Sequence, residues 1–207
     1  MLRVSIVCLA NSYKHQGSCI AGKIWDGSRP GQWVRPVADA GGGALPRRAL
    51  QPGAVVEMPL AGRVPLGHQR ENYLLGEGHW RMLGHLPWSG LTDFLDPPAP
   101  LWQSGHHSSC GLNDRVPAGT ASESLRLIAV DRLDLTVTDE GKLRGQFRYQ
   151  GMDYDLCVTD RRWRCCHVRY LCGRPLQNVI LCISLGEDFK GYCYKLIAAI
   201  LWERRYR

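Results

Sequence analysis

The N-terminal part of the chain combines basic and aromatic side chains, the residue types that proteins use to bind nucleic acid. Cations neutralise phosphates and aromatic rings stack on bases, so this mixture indicates a polyanion-binding surface. A solvated rim of a β-sheet explains the same residues equally well. The residues concerned are Lys14, His15, Lys23, Trp25, Arg29, Trp33 and Arg35.

A second basic segment lies near the C-terminus, and no acidic residue occurs between Asp160 and Glu187. Its arginines are suited to phosphate contacts, with two aromatic rings available for stacking. The alternative is a short helix whose arginine stems lie over apolar surface. The segment contains Arg161, Arg162, Trp163, Arg164, Arg169 and Tyr170.

Histidine and cysteine residues form two clusters that contain the ligand types zinc prefers. One cluster is His106, His107 and Cys110, and the other is Cys165, Cys166, His167 and Cys172. Neither cluster has the paired C-x-x-C spacing of a zinc finger or ribbon. We therefore predict no metal and no cofactor, and we interpret these histidines and cysteines as polar loop residues and buried thiols.

The sequence lacks a G-x-S-x-G motif and a recognisable cysteine-protease signature, so nucleophilic catalysis is not predicted. Asp153 and Asp155, two residues apart on a predicted strand, would project together as a metal-dependent nuclease requires, and Glu187 is a further candidate. The predicted strand pairing gives both aspartates a partner, which favours a structural role. We expect a non-enzymatic protein without catalytic residues and keep the nuclease as an alternative.

Short apolar runs that are rich in Val, Ile and Trp predict strands joined by tight loops. They cover residues 4–10, 19–25, 33–37, 54–58, 125–130, 133–137 and 179–185. Residues 80–83 predict a strand or short helix, residues 47–51 allow a short helix, and residues 192–202 fit a strand or a helix. The fold class is therefore mainly β.

Residues 142–159 predict a β-hairpin that turns at Gln150–Gly151. Pairing outward from this turn sets Arg148 opposite Asp153, Gln146 opposite Asp155, and Phe147 opposite Tyr154. One face is then charged and compensated while the other is apolar, so the register is well specified.

The 207-residue chain carries a net charge of +7 with a pI of about 9.0, which favours anionic partners. No apolar run approaches the roughly 18 residues that span a bilayer, so we expect no membrane association. The first residues run directly into a strand, without a secretory signal. An odd number of cysteines, 9, then favours reduced thiols and a cytoplasmic location.

Proline, glycine and serine dominate residues 96–120, which marks the best boundary or long excursion in the chain. We predict an N-terminal domain with an extension over residues 1–100, a connection over 101–120, and a C-terminal domain over 121–207.

Four motifs resemble those of the dual OB-domain family of small prokaryotic proteins. They are CLANSYKHQGSCIAGK at residues 8–23, QWVRPV at 32–37, DYDLCVTD at 153–160, and SLGEDFKGYCYKLIAAI at 184–200. The resemblance implies two tandem OB-like β-barrels with short helices and a long irregular connection. The matching motif positions are Asn11, Ser12, Lys14, Cys19, Gly22, Lys23, Trp33, Arg35, Pro36, Tyr194 and Lys195.

The resemblance further implies a nucleic-acid-binding adaptor or accessory subunit of a bacterial defence or mobile-element system. Its expected partners are a single-stranded nucleic acid and a helicase, nuclease or other effector. The alternatives are a binding protein for a nucleotide or another small ligand, and a protein-interaction scaffold. The predicted nucleic-acid-binding residues are Lys14, Lys23, Trp33, Arg35, Arg161, Arg162, Trp163, Arg164, Arg169, Tyr194 and Lys195.

Overall fold

The structure, a computed structural model, describes residues 2–14, 17–26, 30–163 and 173–203. The chain divides into two compact units, Met1–Phe94 and Leu95–Arg207. Each unit contains a closed five-stranded β-barrel, so the predicted mainly β fold with tandem OB-like barrels is confirmed.

The first barrel consists of β1 (Leu2–Lys14), β2 (Gly17–Ile24), β3 (Trp33–Val37), β4 (Ala54–Arg63) and β5 (Asn72–Leu75). Strands β1, β2 and β3 form a meander, β3 pairs in parallel with β5, and β4 closes the circuit onto β1. This is the strand circuit of an OB-fold. A sixth strand, β6 (Arg81–His85), extends along β4, and helix α1 (Trp88–Leu91) follows with a 3-10 turn at Thr92–Phe94.

Strand β1 holds the first barrel together because it belongs to two ladders. Its first part pairs with β4 and its second part pairs with β2, with a bulge between Cys8 and Ala10. Strands β1 and β2 approach each other closely at Gly22 of β2, where any added Cβ would collide with the carbonyl oxygen of Val7. Glycine is therefore required here for close backbone approach. Inside the barrel lie fully buried aliphatic side chains, among them Ile6, Ile20, Val34, Met58 and Leu60.

The second barrel consists of β8 (Leu125–Val137), β9 (Leu143–Tyr149), β10 (Met152–Val158), β11 (Leu176–Phe189) and β12 (Tyr192–Leu201). Its circuit repeats the first one: a meander of β8, β9 and β10, a parallel pair of β10 with β12, and closure of β11 onto β8. The additional strand here is β7 (Arg115–Pro117), which precedes the barrel and pairs with β12.

The predicted hairpin at residues 142–159 is confirmed as β9 and β10. Its register pairs Asp153 with Arg148, Asp155 with Gln146 and Tyr154 with Phe147. Gln150 and Gly151 both have positive φ, at 48° and 77°. This conformation suits a two-residue turn whose twist matches that of the strands.

Two other predicted elements differ from their expected form, and a third, left open between strand and helix, is a strand. Residues 125–137 form one continuous strand because Arg132, in the polar interruption, still pairs with Gln177 of β11. Residues 192–202 resolve to a strand, β12. Residues 47–51 form no helix. The Arg48 carbonyl would need the N–H of residue 52 in a helix, and Pro52 has none, so the carbonyls of Arg48 and Leu50 accept from the Asn11 amide.

Residues 101–120, which the sequence marks as a connection, lie in the second unit. They contribute β7 and the fully buried Leu101, which packs in the second core. The domain limits drawn from sequence composition stay a prediction. In the described part of the chain, no helix is long and apolar enough to cross a membrane.

Candidate nucleic-acid interface

Two of the predicted cations in the first barrel are buried and bonded within their own unit. Arg35 on β3 is 3% exposed and its Nη2 lies 2.9 Å from a carboxylate oxygen of Glu71. Lys23 on β2 is 4% exposed, donates to the carbonyl of Phe94 at 2.7 Å, and lies 4.9 Å from the ring centroid of Trp33. These contacts stabilise the β2–β3 face, the side on which OB barrels commonly bind oligonucleotides.

The first unit covers part of this face with its own chain. Phe94 follows α1 and stacks on Trp25 with ring centroids 5.9 Å apart, besides accepting the Lys23 hydrogen bond. Lys14, at the end of β1, donates to the carbonyl of Gly42 at 2.7 Å. Lys14 and Trp33 remain half-buried, so they are more accessible than Lys23 and Arg35.

Lys195 is a buried cation of the second barrel. Its ammonium, 1% exposed, donates to the carbonyl of Gln103 at 2.8 Å and lies 5.4 Å from the ring centroid of Tyr154. Burial lowers the pKa of Lys195 to about 8, although the nearby carboxylate of Asp114 raises it. Burial also raises the pKa of the Tyr154 phenol.

The basic segment begins with a 3-10 turn at Arg161–Trp163. Asp160, 1% exposed, accepts hydrogen bonds from the backbone N–H and guanidinium of Arg162 and from the Ile200 N–H. Arg162 is thereby tied to the barrel, and Trp163 packs against its core. Arg164 and Arg169 lie outside the described residues.

A surface cluster of aromatic and cationic side chains, exposed at Phe189 and Lys190 and half-buried at its other positions, lies on the β11–β12 hairpin and the adjoining β7. We call it the hairpin surface and define it by Arg115, Phe189, Lys190, Tyr192 and Tyr194. Phe189 is 60% exposed and its ring centroid lies 6.5 Å from that of Tyr194. The guanidinium carbon of Arg115 lies 4.0 Å from the centroid of Tyr192, and the Lys190 ammonium lies 5.4 Å from that of Phe189.

Strand pairing places these side chains together. Phe189 pairs with Tyr192 across the hairpin, and Arg115 pairs with Tyr194 across the β7–β12 ladder. The turn between them is Lys190–Gly191, both with positive φ, and the carboxylate of Asp188 accepts from the Gly191 N–H at 2.9 Å. Because Tyr192 and Tyr194 are two apart on one strand, their rings lie on the same face.

The aspartates of the nuclease alternative are engaged in ion pairs. Asp155 lies 2.6 Å from the Nε of Arg144, and Asp153 lies 3.1 Å from the Nη1 of Arg148. In the first zinc candidate, His107 Nδ1 accepts a hydrogen bond from the Asn113 N–H, and the second candidate, Cys165, Cys166, His167 and Cys172, lies outside the described residues. Among the described residues, no group of three or more His, Cys, Asp or Glu side chains is placed to hold a metal ion.

A family model described as a dual OB-containing domain matches residues 4–200. The chain belongs to this dual OB family. A search of curated proteins finds no match. Among solved structures, the chain is similar to the crystal structure of the tetrameric p202 HIN2, with 8% sequence identity and a TM-score of 0.34. That similarity covers 98% of this chain and 91% of the other, and a TM-score this low supports no conclusion about the protein.

Membership of the dual OB family, together with the two closed barrels, suggests nucleic-acid binding, because OB-folds commonly bind oligonucleotides. Of the sequence-predicted residues, the structure brings Lys23 and Trp33 together and places Tyr194 in the hairpin surface. Sequence reasoning missed Arg115, Phe189, Lys190 and Tyr192. The one available signal was the dense alternation of aromatic and basic residues between positions 189 and 195.

Proposed function

We propose that this dual OB protein binds single-stranded nucleic acid through the hairpin surface of its second barrel. The observation that carries the proposal is a cluster of three aromatic rings and two cations at the loop between the fourth and fifth barrel strands, in which Phe189 and Lys190 are exposed while Arg115, Tyr192 and Tyr194 are half-buried. In OB barrels this loop is one of the segments that border the oligonucleotide.

The chemistry of the surface favours single strands over duplexes. Bases can stack on Phe189, Tyr192 or Tyr194 only when they are free of their own partners, and Arg115 and Lys190 supply charge for the phosphates. The remaining predicted cations, Lys14 in the first unit and Arg161, Arg164 and Arg169 in the second, stay predictions of phosphate contacts. Lys195, buried on β12 next to Tyr194, ties the strand that carries Tyr192 and Tyr194 to the Gln103 carbonyl, whereas Lys23 and Arg35 are buried in the first barrel.

The test is fluorescence anisotropy with a labelled single strand of about 16 nucleotides, the upper site size of one OB barrel. We expect binding that weakens strongly between about 50 mM and about 200 mM salt, and weaker binding of the matching duplex. Absent or salt-independent binding by the intact chain would overturn the proposal.

Localisation to the hairpin surface is tested with Phe189→Ala and Tyr194→Ala. Each lost stacking contact is worth about 1–3 kcal/mol, so we expect about five- to 150-fold weaker binding. The control is Met82→Ala on β6, because Met82 is 59% exposed, close to the 60% of Phe189. If all three variants bind alike, the hairpin surface is not the site.

The proposed role includes an adaptor or accessory function beside a helicase, nuclease or other effector of a bacterial defence or mobile-element system. Family membership supports this part, since the family motifs imply it. Affinity purification of the intact protein from its native host, followed by nuclease treatment, tests it. An effector that stays bound after nuclease supports direct docking, and loss of every such protein contradicts it.

A further inference from the structure

One mouth of the first barrel opens into a cavity of about 510 Å³. Its floor is apolar and consists of inward side chains from four strands, including Val4, Ile24, Val34 and Leu60. The volume falls in the range of small-molecule sites, about 300–1,000 Å³. The cavity lies within the unit Met1–Phe94, so it is separate from the hairpin surface.

One wall of the cavity is formed by a cation stacked on an aromatic ring. The guanidinium carbon of Arg63 lies 5.8 Å from the ring centroid of Tyr73. Among the described residues, that guanidinium makes one hydrogen bond, to the Arg70 carbonyl at 2.9 Å, and no ion pair. A guanidinium carries five N–H donors, so most of its donors remain for a ligand.

Two further charged residues, Arg3 and Asp26, line the cavity. Arg3 is held by the carboxylate of Glu57 at 2.8 Å and by the carbonyl of His79. Asp26 is exposed. Arg63 is therefore the cation best suited to receive an anionic group, and Asp26 can accept from a ring N–H.

We propose that this cavity binds a planar ring compound that carries one anionic group, such as a carboxylate, sulfonate or phosphate. The aliphatic floor and the Tyr73 ring take the planar body, and Arg63 pairs with the anion. A free inorganic anion would leave the apolar floor unfilled, and a neutral ring would leave Arg63 without its charge partner.

The experiment titrates the intact chain with 8-anilinonaphthalene-1-sulfonate, with AMP, with inorganic phosphate and with naphthalene. We expect saturable one-to-one binding of the sulfonate or of AMP, and at least about tenfold weaker binding of phosphate and naphthalene. Preference for AMP identifies a nucleotide as the source of this chemistry, and preference for the sulfonate identifies an aromatic acid. Equal binding of phosphate or naphthalene, or non-saturable binding, overturns the proposal.

Two variants locate the site. Arg63→Met should weaken binding by about tenfold or more, because a charge-assisted hydrogen bond is lost. Gly62→Trp should abolish it, because Gly62 lines the cavity and a Cβ there meets no atom within 4 Å.

The matched control is Arg70→Met, which leaves the backbone acceptor of Arg63 in place. A melting temperature close to that of the unmodified protein shows that Gly62→Trp has folded. Unchanged binding by Arg63→Met overturns the proposal even if Gly62→Trp fails to fold. Phe189→Ala, which tests the hairpin surface, should leave this binding unaltered, and so separates the two sites.

Discussion

The two barrels share one strand circuit and differ in what is added to it. In the first barrel the sixth strand follows the circuit and extends β4, and in the second it precedes the circuit and extends β12. Each barrel contains a buried lysine that donates to a carbonyl of a flanking segment: Lys23 to Phe94 and Lys195 to Gln103. The scaffold is repeated while the additions are not.

The additions decide which surface each barrel presents. Phe94, in the chain after β6, lies on the β2–β3 face of the first barrel. The cations of that face, Lys23 and Arg35, are bonded to groups of the same unit. In the second barrel, β7 instead places Arg115 beside the aromatic rings of β12. The flanking segments of the two OB circuits therefore contact different parts of the barrel surface: Phe94 lies on the β2–β3 face of the first, and β7 pairs with β12 of the second.

The largest expected effect concerns the buried ion pair of the first barrel, between Arg35 and Glu71. Glu71→Ala leaves the Arg35 guanidinium buried without its carboxylate, so we expect a loss of about 3–5 kcal/mol in unfolding free energy. The corresponding pair of the second barrel is less buried, with Arg144 9% and Asp155 20% exposed, so Asp155→Ala should cost only about 1–3 kcal/mol.

Urea unfolding of the intact chain, with hydrogen exchange on peptides from each barrel, measures both losses. The matched variants are Glu71→Gln and Asp155→Asn, which keep side-chain volume. Equal losses at the two sites would show that burial does not separate the pairs.

The next effect concerns the buried lysines and depends on pH. Lys195 has a folded-state pKa of about 8 against an ordinary 10.5, so between these values the unfolded chain binds more protons. The stability of the unmodified protein relative to Lys195→Met should therefore rise with pH across this window, by up to about 3 kcal/mol. Below pH 8 both states are protonated and the full cost of burying the charge is present.

Chemical unfolding of the unmodified protein and Lys195→Met at matched pH values measures this difference and cancels other titrations. The same series with Lys23→Met compares the two lysines directly. A difference that stays flat between pH 7 and pH 10 would contradict the assigned protonation of Lys195.

The smallest expected effect tests the close approach of β2 to β1 in the first barrel. Gly22→Ala forces β2 away from the Val7 carbonyl, and overpacking of this kind costs about 1–3 kcal/mol. Gly62→Ala on β4 is the control, because a Cβ there meets no neighbouring atom, and its effect should stay within about 0.5 kcal/mol. Thermal unfolding ranks the two variants, and a similar cost for both would argue against the close approach.

Local patterns predicted the parts of the fold that depend on neighbours in sequence. The hairpin at residues 142–159 has period-two alternation, a two-residue turn and complementary charges, and all three agree on one register. Residues 125–137 show the limit, because the polar Asp131–Arg132 step looks like a break. Only pairing with a strand some 45 residues later keeps it extended.

The candidate site was less predictable because distant segments build it. Lys23, Arg35 and Lys195 looked like surface cations, but their partners are a carbonyl at position 94, an acid at position 71 and a carbonyl at position 103. Arg115 meets Tyr192 only because residues 115–117 of a Pro/Gly/Ser-rich stretch form a strand. Composition suggested a linker there and contained no sign of that pairing.

The carbonyl acceptors of the two buried lysines have a consequence for how the barrels tolerate change. A main-chain oxygen is supplied by every amino acid, so substitution at position 94 or 103 leaves the acceptor present while it alters the side chain displayed outside. Each lysine thus fastens a segment by its backbone and leaves the outward chemistry of that segment open to variation. The side chains at these two positions can therefore change to suit other ligands while the buried lysine contacts are kept.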